Sequence, residues 1–208
     1  MKKKLLVLTL LFSMSSFLFA QRPVGSWSIQ PKVGLNLSTM TNDNEAKIRP
    51  ALAAGLEIDY MATSRFALSF GALYSQQGCK GNFEGYNGVI KLDYINVPIL
   101  ANFYVVNGLA LKVGIQPGIL INDKIKVSAN GASAEVGIEQ SMRAAGLDVT
   151  LNNIDLAIPI GASYEFKNFQ IEARYNWGLM KILKGSGVDT TKNSVFQFTI
   201  GYRFNLSK

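Results

Sequence analysis

Phe196-Gln197-Phe198-Thr199-Ile200-Gly201-Tyr202-Arg203-Phe204 alternates without a break. Phe196, Phe198, Ile200, Tyr202 and Phe204 take one parity; Gln197, Thr199, Gly201 and Arg203 take the other. A period of two is the signature of a β-strand with two chemically different faces. Only four residues follow Phe204, so the reading expects lipid, not a later element, to cover the apolar face. Pairing this strand with the first one would remove the exposed edges, which a sheet inside a membrane must do.

Working outward, the same alternation recurs. Trp27, Ile29, Val33, Leu35 and Leu37 oppose Ser28, Gln30, Lys32, Gly34 and Asn36. Leu52 to Tyr60 and Phe66 to Tyr74 repeat it on either side of a tight turn at 61–64, and a Gly-rich loop is expected over 77–88. A fourth strand begins with Ile90, Leu92 and Tyr94 on one parity and continues with Val97, Ile99 and Phe103 on the other. That change predicts a bulge near Pro98, where a ladder bond is already missing. Asn107-Gly108 marks a hairpin, followed by Leu111, Val113, Ile115, Ile119 and Ile121. A polar segment spans 122–152, with a strand extension at Ile125–Ser128. Ile154–Phe166 and Phe169–Leu179 flank the turn Lys167-Asn168, and a loop over 181–194 leads to the last strand. Eight strands joined by alternately long and short connections predict an all-β, antiparallel, up-and-down transmembrane β-barrel.

At 208 residues the chain is one domain. Lys2–Lys4, the apolar run Leu5–Phe19 and Ala20 predict a cleaved secretory leader over 1–20. A tail at 21–26 and a barrel at 27–205 follow. The leader's apolar run is shorter than the roughly 20 residues a membrane helix needs. Without its three lysines, 18 basic residues face 14 acidic ones, a net charge of +4. The basic residues are scattered, so nucleic acid is not an expected partner. There is no histidine, which removes the commonest general base and transition-metal ligand. No enzyme activity, cofactor or metal is expected. The single cysteine, Cys79, is read as a tolerated residue of the 77–88 loop.

Alternation alone leaves open which face points outward. The apolar set is too bulky for an eight-stranded bore, whose width just admits packed side chains. The opposite face is rich in Gly, Ala, Ser and Asn, whereas a soluble barrel would carry long charged residues there. Aromatics also sort by height. Trp27, Tyr60, Phe66, Phe103, Tyr164, Phe166, Phe169, Tyr202 and Phe204 are expected at the short-turn end, with Tyr74, Tyr94, Trp177 and Phe196 at the long-loop end. Two aromatic girdles around an aliphatic band match bilayer interfaces.

The remaining charges fall on the inward parity: Lys32, Glu57, Asp59, Lys112, Asp155, Glu165, Glu172, Arg174 and Arg203. All except Asp155, which lies nearer the long loops, are expected to pair in a structural lumen network, because unpaired buried charge is costly. An ion pathway or a catalytic carboxylate pair is the functional alternative.

V-G-L-N-L-S (33–38), Y-S-Q-Q-G (74–78), L-D-Y-I-N-V-P-I-L (92–100), A-R-Y-N-W-G-L (173–179) and I-G-Y-R-F (200–204) together resemble the outer-membrane β-barrel domain labelled "porin family" and abundant in Bacteroidota. Its shape is similar to the small OmpA/OmpX-type barrels. The resemblance implies a monomer in the Gram-negative outer membrane, surrounded by lipid and lipopolysaccharide. It also implies that the terminal aromatic strand is read by the assembly machinery. Small outer-membrane enzymes depend on a histidine, which this chain lacks. Two roles stay open, a surface-interaction barrel with a filled lumen or a narrow channel for small solutes, and no extracellular ligand is named by the loops.

Overall fold

The computed structural model describes residues 22–42, 46–83, 86–129, 132–144, 146, 149–185 and 190–206. The expected leader, 1–20, lies outside them. The elements in order are β1 (Trp27–Met40), β2 (Arg49–Thr63), β3 (Phe66–Phe83), β4 (Tyr86–Asn96), β5 (Ile99–Val106), β6 (Leu109–Ala129), β7 (Ala132–Val136), α1 (Ile138–Ala144), β8 (Thr150–Leu151), β9 (Ile154–Phe166), β10 (Phe169–Gly178), β11 (Leu183–Lys184), β12 (Asn193–Tyr202) and β13 (Phe204–Asn205). Antiparallel pairing runs β1–β2–β3, then through β4 and β5 as one broken stave, to β6–β9–β10–β12. β12 returns to β1, with Leu35 opposite Phe198 and Lys32 opposite Gly201, so the eight staves close. Among the described residues, closure leaves no unpaired stave edge within the band, the condition for spanning a bilayer with strands.

The faces separate cleanly within that band. Val33, Leu35, Leu56, Phe70, Val113, Ile115, Ile160, Ile171, Phe198 and Ile200 are exposed on the outside. Ser28, Gln30, Lys32, Asn36, Glu57, Ser69, Lys112 and Glu172 are buried within. At the short-turn end Trp27 stacks beside Tyr60 at 4.7 Å, and Phe169 meets Tyr202 edge-on at 5.0 Å. At the other end Tyr175 lies 4.7 Å from Phe196.

Above the band the apolar side changes over. β3, β4 and β6 continue as a projecting sheet whose inner row is Cys79, Ile90 and Ile125. Met40, Cys79, Leu92, Tyr94, Ile138, Leu151 and Ile182 form a buried apolar cluster there. The outer side at this height carries polar and charged residues suited to water and headgroups and not to acyl chains, so the apolar residues turn inward as in any soluble sheet.

That change corrects four expectations. Ile90, Leu92 and Tyr94 do not face lipid, and Tyr94, 1% exposed, leaves the outer aromatic girdle. The parity of β4 and β5 is constant across Pro98: Ile95, Val97 and Ile99 point out while Asn96 and Leu100 point in. The bulge lies instead in β6, where Asp93 pairs with Asn122 and Tyr94 with Leu120, skipping Ile121. Cys79 is not on a surface loop but in β3, 1% exposed. Finally, the 77–88 and 122–152 segments are largely ordered as the β3–β4 hairpin, β7, α1 and β8.

The faces predict opposite responses to the same substitution. Ile171→Arg, on the lipid side, should cost about 2–4 kcal/mol at mid-bilayer. Ser69→Arg, fully buried beside Asp59, should abolish folding by crowding in detergent as well as lipid. Urea unfolding in vesicles and in micelles separates the two effects.

Candidate functional site: the charged lumen

Four staves deliver five charged side chains to the centre of the bore. Lys32 comes from β1, Glu57 from β2, Lys112 from β6, and Glu172 and Arg174 from β10. The Lys32 ammonium donates to Glu57 Oε1 at 2.7 Å and to Glu172 Oε2 at 2.8 Å. Lys112 reaches the same two oxygens from the opposite side, at 2.9 and 2.7 Å. Two lysines and two glutamates thus form a closed four-membered ring across the lumen. Arg174 approaches the other Glu172 oxygen at 3.2 Å, and its Nε donates to Gln197 Oε1 at 2.6 Å. Gln197 donates in turn to Asn36, and Asn36 to Ser75, both at 2.9 Å.

The sequence makes room for these long side chains by placing small residues beside them. Lys32 is flanked across its two ladders by Gly55 and Gly201. Arg174 and Lys112 share Gly161 as a lateral neighbour. A Cβ at Gly161 would lie 2.5 Å from Arg174 Cβ, and one at Gly201 would lie 2.9 Å from Lys32 Cγ. The lumen is filled to the point where a methyl group has no place.

A second cluster fills the short-turn end. Arg203 pairs with Glu165 at 2.6 Å and with Asp59 at 3.4 Å. Asp59 accepts from Ser69 at 2.5 Å. Arg22, ahead of the first strand, lies 3.6 Å from Asp59 and 3.8 Å from Glu165. It also donates to the Tyr104 hydroxyl at 2.6 Å, which donates to Glu165 at 2.6 Å. Gly25 and Met61 tie this segment to the barrel by backbone bonds of 2.7 Å (Gly25 to Met61) and 3.0 Å (Met61 to Ser26).

The structure therefore brings Lys32, Glu57, Lys112, Glu172 and Arg174 into one cluster, and Asp59, Glu165 and Arg203 into another. Asp155 stands apart near the apolar cluster, accepting from Asn193 at 2.9 Å and from the Leu156 amide at 2.8 Å. Sequence reasoning missed Arg22 and Tyr104. Tyr104 carried a signal, since it shares the inward parity of Asn102. Arg22 carried none, because no alternation extends ahead of Trp27. Among the described residues, Glu57 Oε2 and both amide atoms of Gln30 have no hydrogen-bond partner, and no group of three or more acidic, cysteine or histidine side chains could hold a metal.

Residues 19–184 match the model of the outer membrane protein β-barrel domain. The chain belongs to that family. It is a protein of the Gram-negative outer membrane, contacted by the lipids of that membrane. No curated protein matches it. Among solved structures it is similar to Ail, the attachment invasion locus protein of Yersinia pestis, in complex with the heparin analogue sucrose octasulfate. Identity is 18%, covering 87% of this chain and 100% of that one, with a TM-score of 0.50. It is also similar to Neisserial surface protein A at 12% identity, over 86% and 97% of the two chains, with a TM-score of 0.48. OprG from Pseudomonas aeruginosa follows at 16%, 87% and 96%, with a TM-score of 0.46. At these identities the likeness is one of fold.

The shared carboxylates make the ring a unit. Lys112→Met leaves Glu57 and Glu172 with one lysine between them and should cost about 3–5 kcal/mol, the penalty of orphaning buried charge. Adding Glu57→Gln should recover part of that loss in a double-mutant cycle read by urea unfolding in vesicles.

Proposed function

We propose that this barrel is a sealed anchor that presents its long connections at the cell surface, not a standing channel. The Lys32–Glu57–Lys112–Glu172 ring carries the reading, because it crosses the bore from both sides with contacts of 2.7–2.9 Å. Eight staves enclose little more than packed side chains, whereas open porins use about sixteen. The apolar cluster around Tyr94 stands above the ring, and the Arg22–Arg203–Glu165–Asp59 cluster stands below it. On this reading residues 1–20 are a cleaved leader, both ends of the mature chain lie on the periplasmic side, and the chain acts as a monomer without enzymatic activity. The β12–β13 strand is the segment offered to the assembly machinery.

Partnerless polar atoms at Gln30, Gln116 and Asn176 favour a second reading, a hydrated path that opens briefly. Planar-bilayer recording tests both. The sealed barrel should give no steady conductance, with at most small intermittent openings. Glu172→Ala with Arg174→Ala should raise conductance while lowering thermal stability. Passage of sugars through the wild-type protein in a liposome-swelling assay would overturn the anchor reading.

A further inference from the structure

The projecting β3–β4–β6 sheet carries an unusual outer face. Directly opposed residues share a face of a sheet, so the register reads it out in rows. The top row of the lipid-facing band is Tyr74, Ile95 and Ile119. Above it comes a polar row, Gln76, Asp93 and Asn122, in which Tyr74 and Asn122 both donate to Asp93 Oδ2, at 3.1 and 2.9 Å. The next row sets Lys91 directly opposite Lys124, and the one after it holds Lys80, Val89 and Lys126. Lys47 joins at the edge as the bridge partner of Lys80, with backbone bonds of 2.7 and 3.0 Å between them.

Two like-charged cross-strand pairs, Lys47 with Lys80 and Lys91 with Lys124, are each unfavourable to the sheet that holds them. Glu135 of β7 is the one acidic side chain the described contacts bring to them, 2.5 Å from Lys91 and 3.8 Å from Lys124. The hydrogen bond from Lys91 holds its carboxyl below the ordinary carboxylate range. Among the described residues, five lysines share this surface with Glu135, which also lies opposite Lys126, and with Asp93 one row below, so positive charge prevails there. Repulsion kept in an otherwise consistent fold marks a surface shaped by a partner.

Height identifies that partner. Two residues of strand add about 7 Å, so the first lysine row stands about 14 Å along the tilted strands from the last apolar row. The headgroup layer of a bilayer is about 5–8 Å thick on each side, and lysine stems bend back toward it. The patch is also the direct upward continuation of the surface that lipid chains cover at Ile119, Ile121 and Ile154, each more than half exposed.

We propose that Lys47, Lys80, Lys91, Lys124 and Lys126 form a binding site for the phosphate groups of an outer-leaflet glycolipid whose acyl chains lie against the Ile119–Ile154 surface. The partner's outer-leaflet position rests on the reading that the long connections face outward, whereas the binding itself does not. The test uses the full mature chain in detergent and native mass spectrometry of retained lipid. The probes are diphosphoryl lipid A, the same lipid stripped of phosphate, and soluble glucosamine phosphate as competitor. Wild type should retain the diphosphoryl lipid at least tenfold over the stripped one. Lys91→Gln/Lys124→Gln/Lys126→Gln should lose most of that preference, while Lys167→Gln, at the short-turn end, should keep it. The triple variant should remain heat-modifiable and at least as thermostable as wild type in phosphate-free micelles, because it relieves repulsion. Equal retention of the two lipids, unchanged retention by the triple variant, or full displacement by the soluble competitor would each overturn the site. Labelling of Lys126 on intact cells by a membrane-impermeant amine reagent tests the orientation separately.

Discussion

Charge inside a narrow barrel has nowhere to go. Lipid surrounds the wall, and an eight-stave bore holds too little water to solvate a carboxylate or an ammonium group, so each must find its counterion across the lumen. The ring of Lys32, Glu57, Lys112 and Glu172 meets that constraint by sharing, each lysine serving both glutamates and each glutamate both lysines. Because its members come from β1, β2, β6 and β10, the ring forms only once staves distant in sequence have closed on one another. It therefore reports closure as well as stabilising it. Glycines at 55, 161 and 201 follow from the same constraint, since the bore cannot hold a second large side chain beside each charged one.

The bilayer imposes a second constraint at its outer edge. Below it, the outside of each stave must be apolar; above it, the same face meets water. β4 passes this boundary without changing its pleat, so its apolar residues change sides: Ile95 points out, while Tyr94 and Leu92 point in. β6 passes it with the skipped residue Ile121, which turns its outward parity from Ile119 to Lys124 and Lys126. The bulge lets a strand with one apolar pattern in lipid adopt the opposite pattern in water while keeping its ladder.

This boundary also fixes what could be read from residues alone. The staves wholly within lipid, such as β9, β10 and β12, alternate from end to end, and their limits and faces were legible to within a few residues. The charged lumen positions were legible for the same reason, because parity assigns them an inward side. In the fourth stave the switch of apolar parity predicts a bulge near Pro98, whereas the pleat there is unbroken. The switch is one of solvent, which no local pattern of residues distinguishes from a bulge. Cys79 and the 77–88 segment suffered from the related assumption that glycine-rich sequence above the band is loop. Arg22 was invisible on different grounds, since its place depends on where the tail folds and not on any periodicity.

The two ends of the bore are closed by opposite chemistries, and connection length explains the choice. Short turns add almost no residues beyond the staves, so the lower end can be filled only by what the strands and the tail carry, which is Arg203, Glu165, Asp59 and Arg22. Long connections bring enough chain to bury an apolar core, and Ile138 of α1, Leu151 of β8 and Ile182 beside β11 pack onto Tyr94 and Leu92 to do so. An ionic closure depends on pairing at every site, whereas an apolar one tolerates exchange of one hydrophobe for another of similar volume. The upper end can thus vary its connections while the lower end keeps its geometry, as the proposed anchor reading requires.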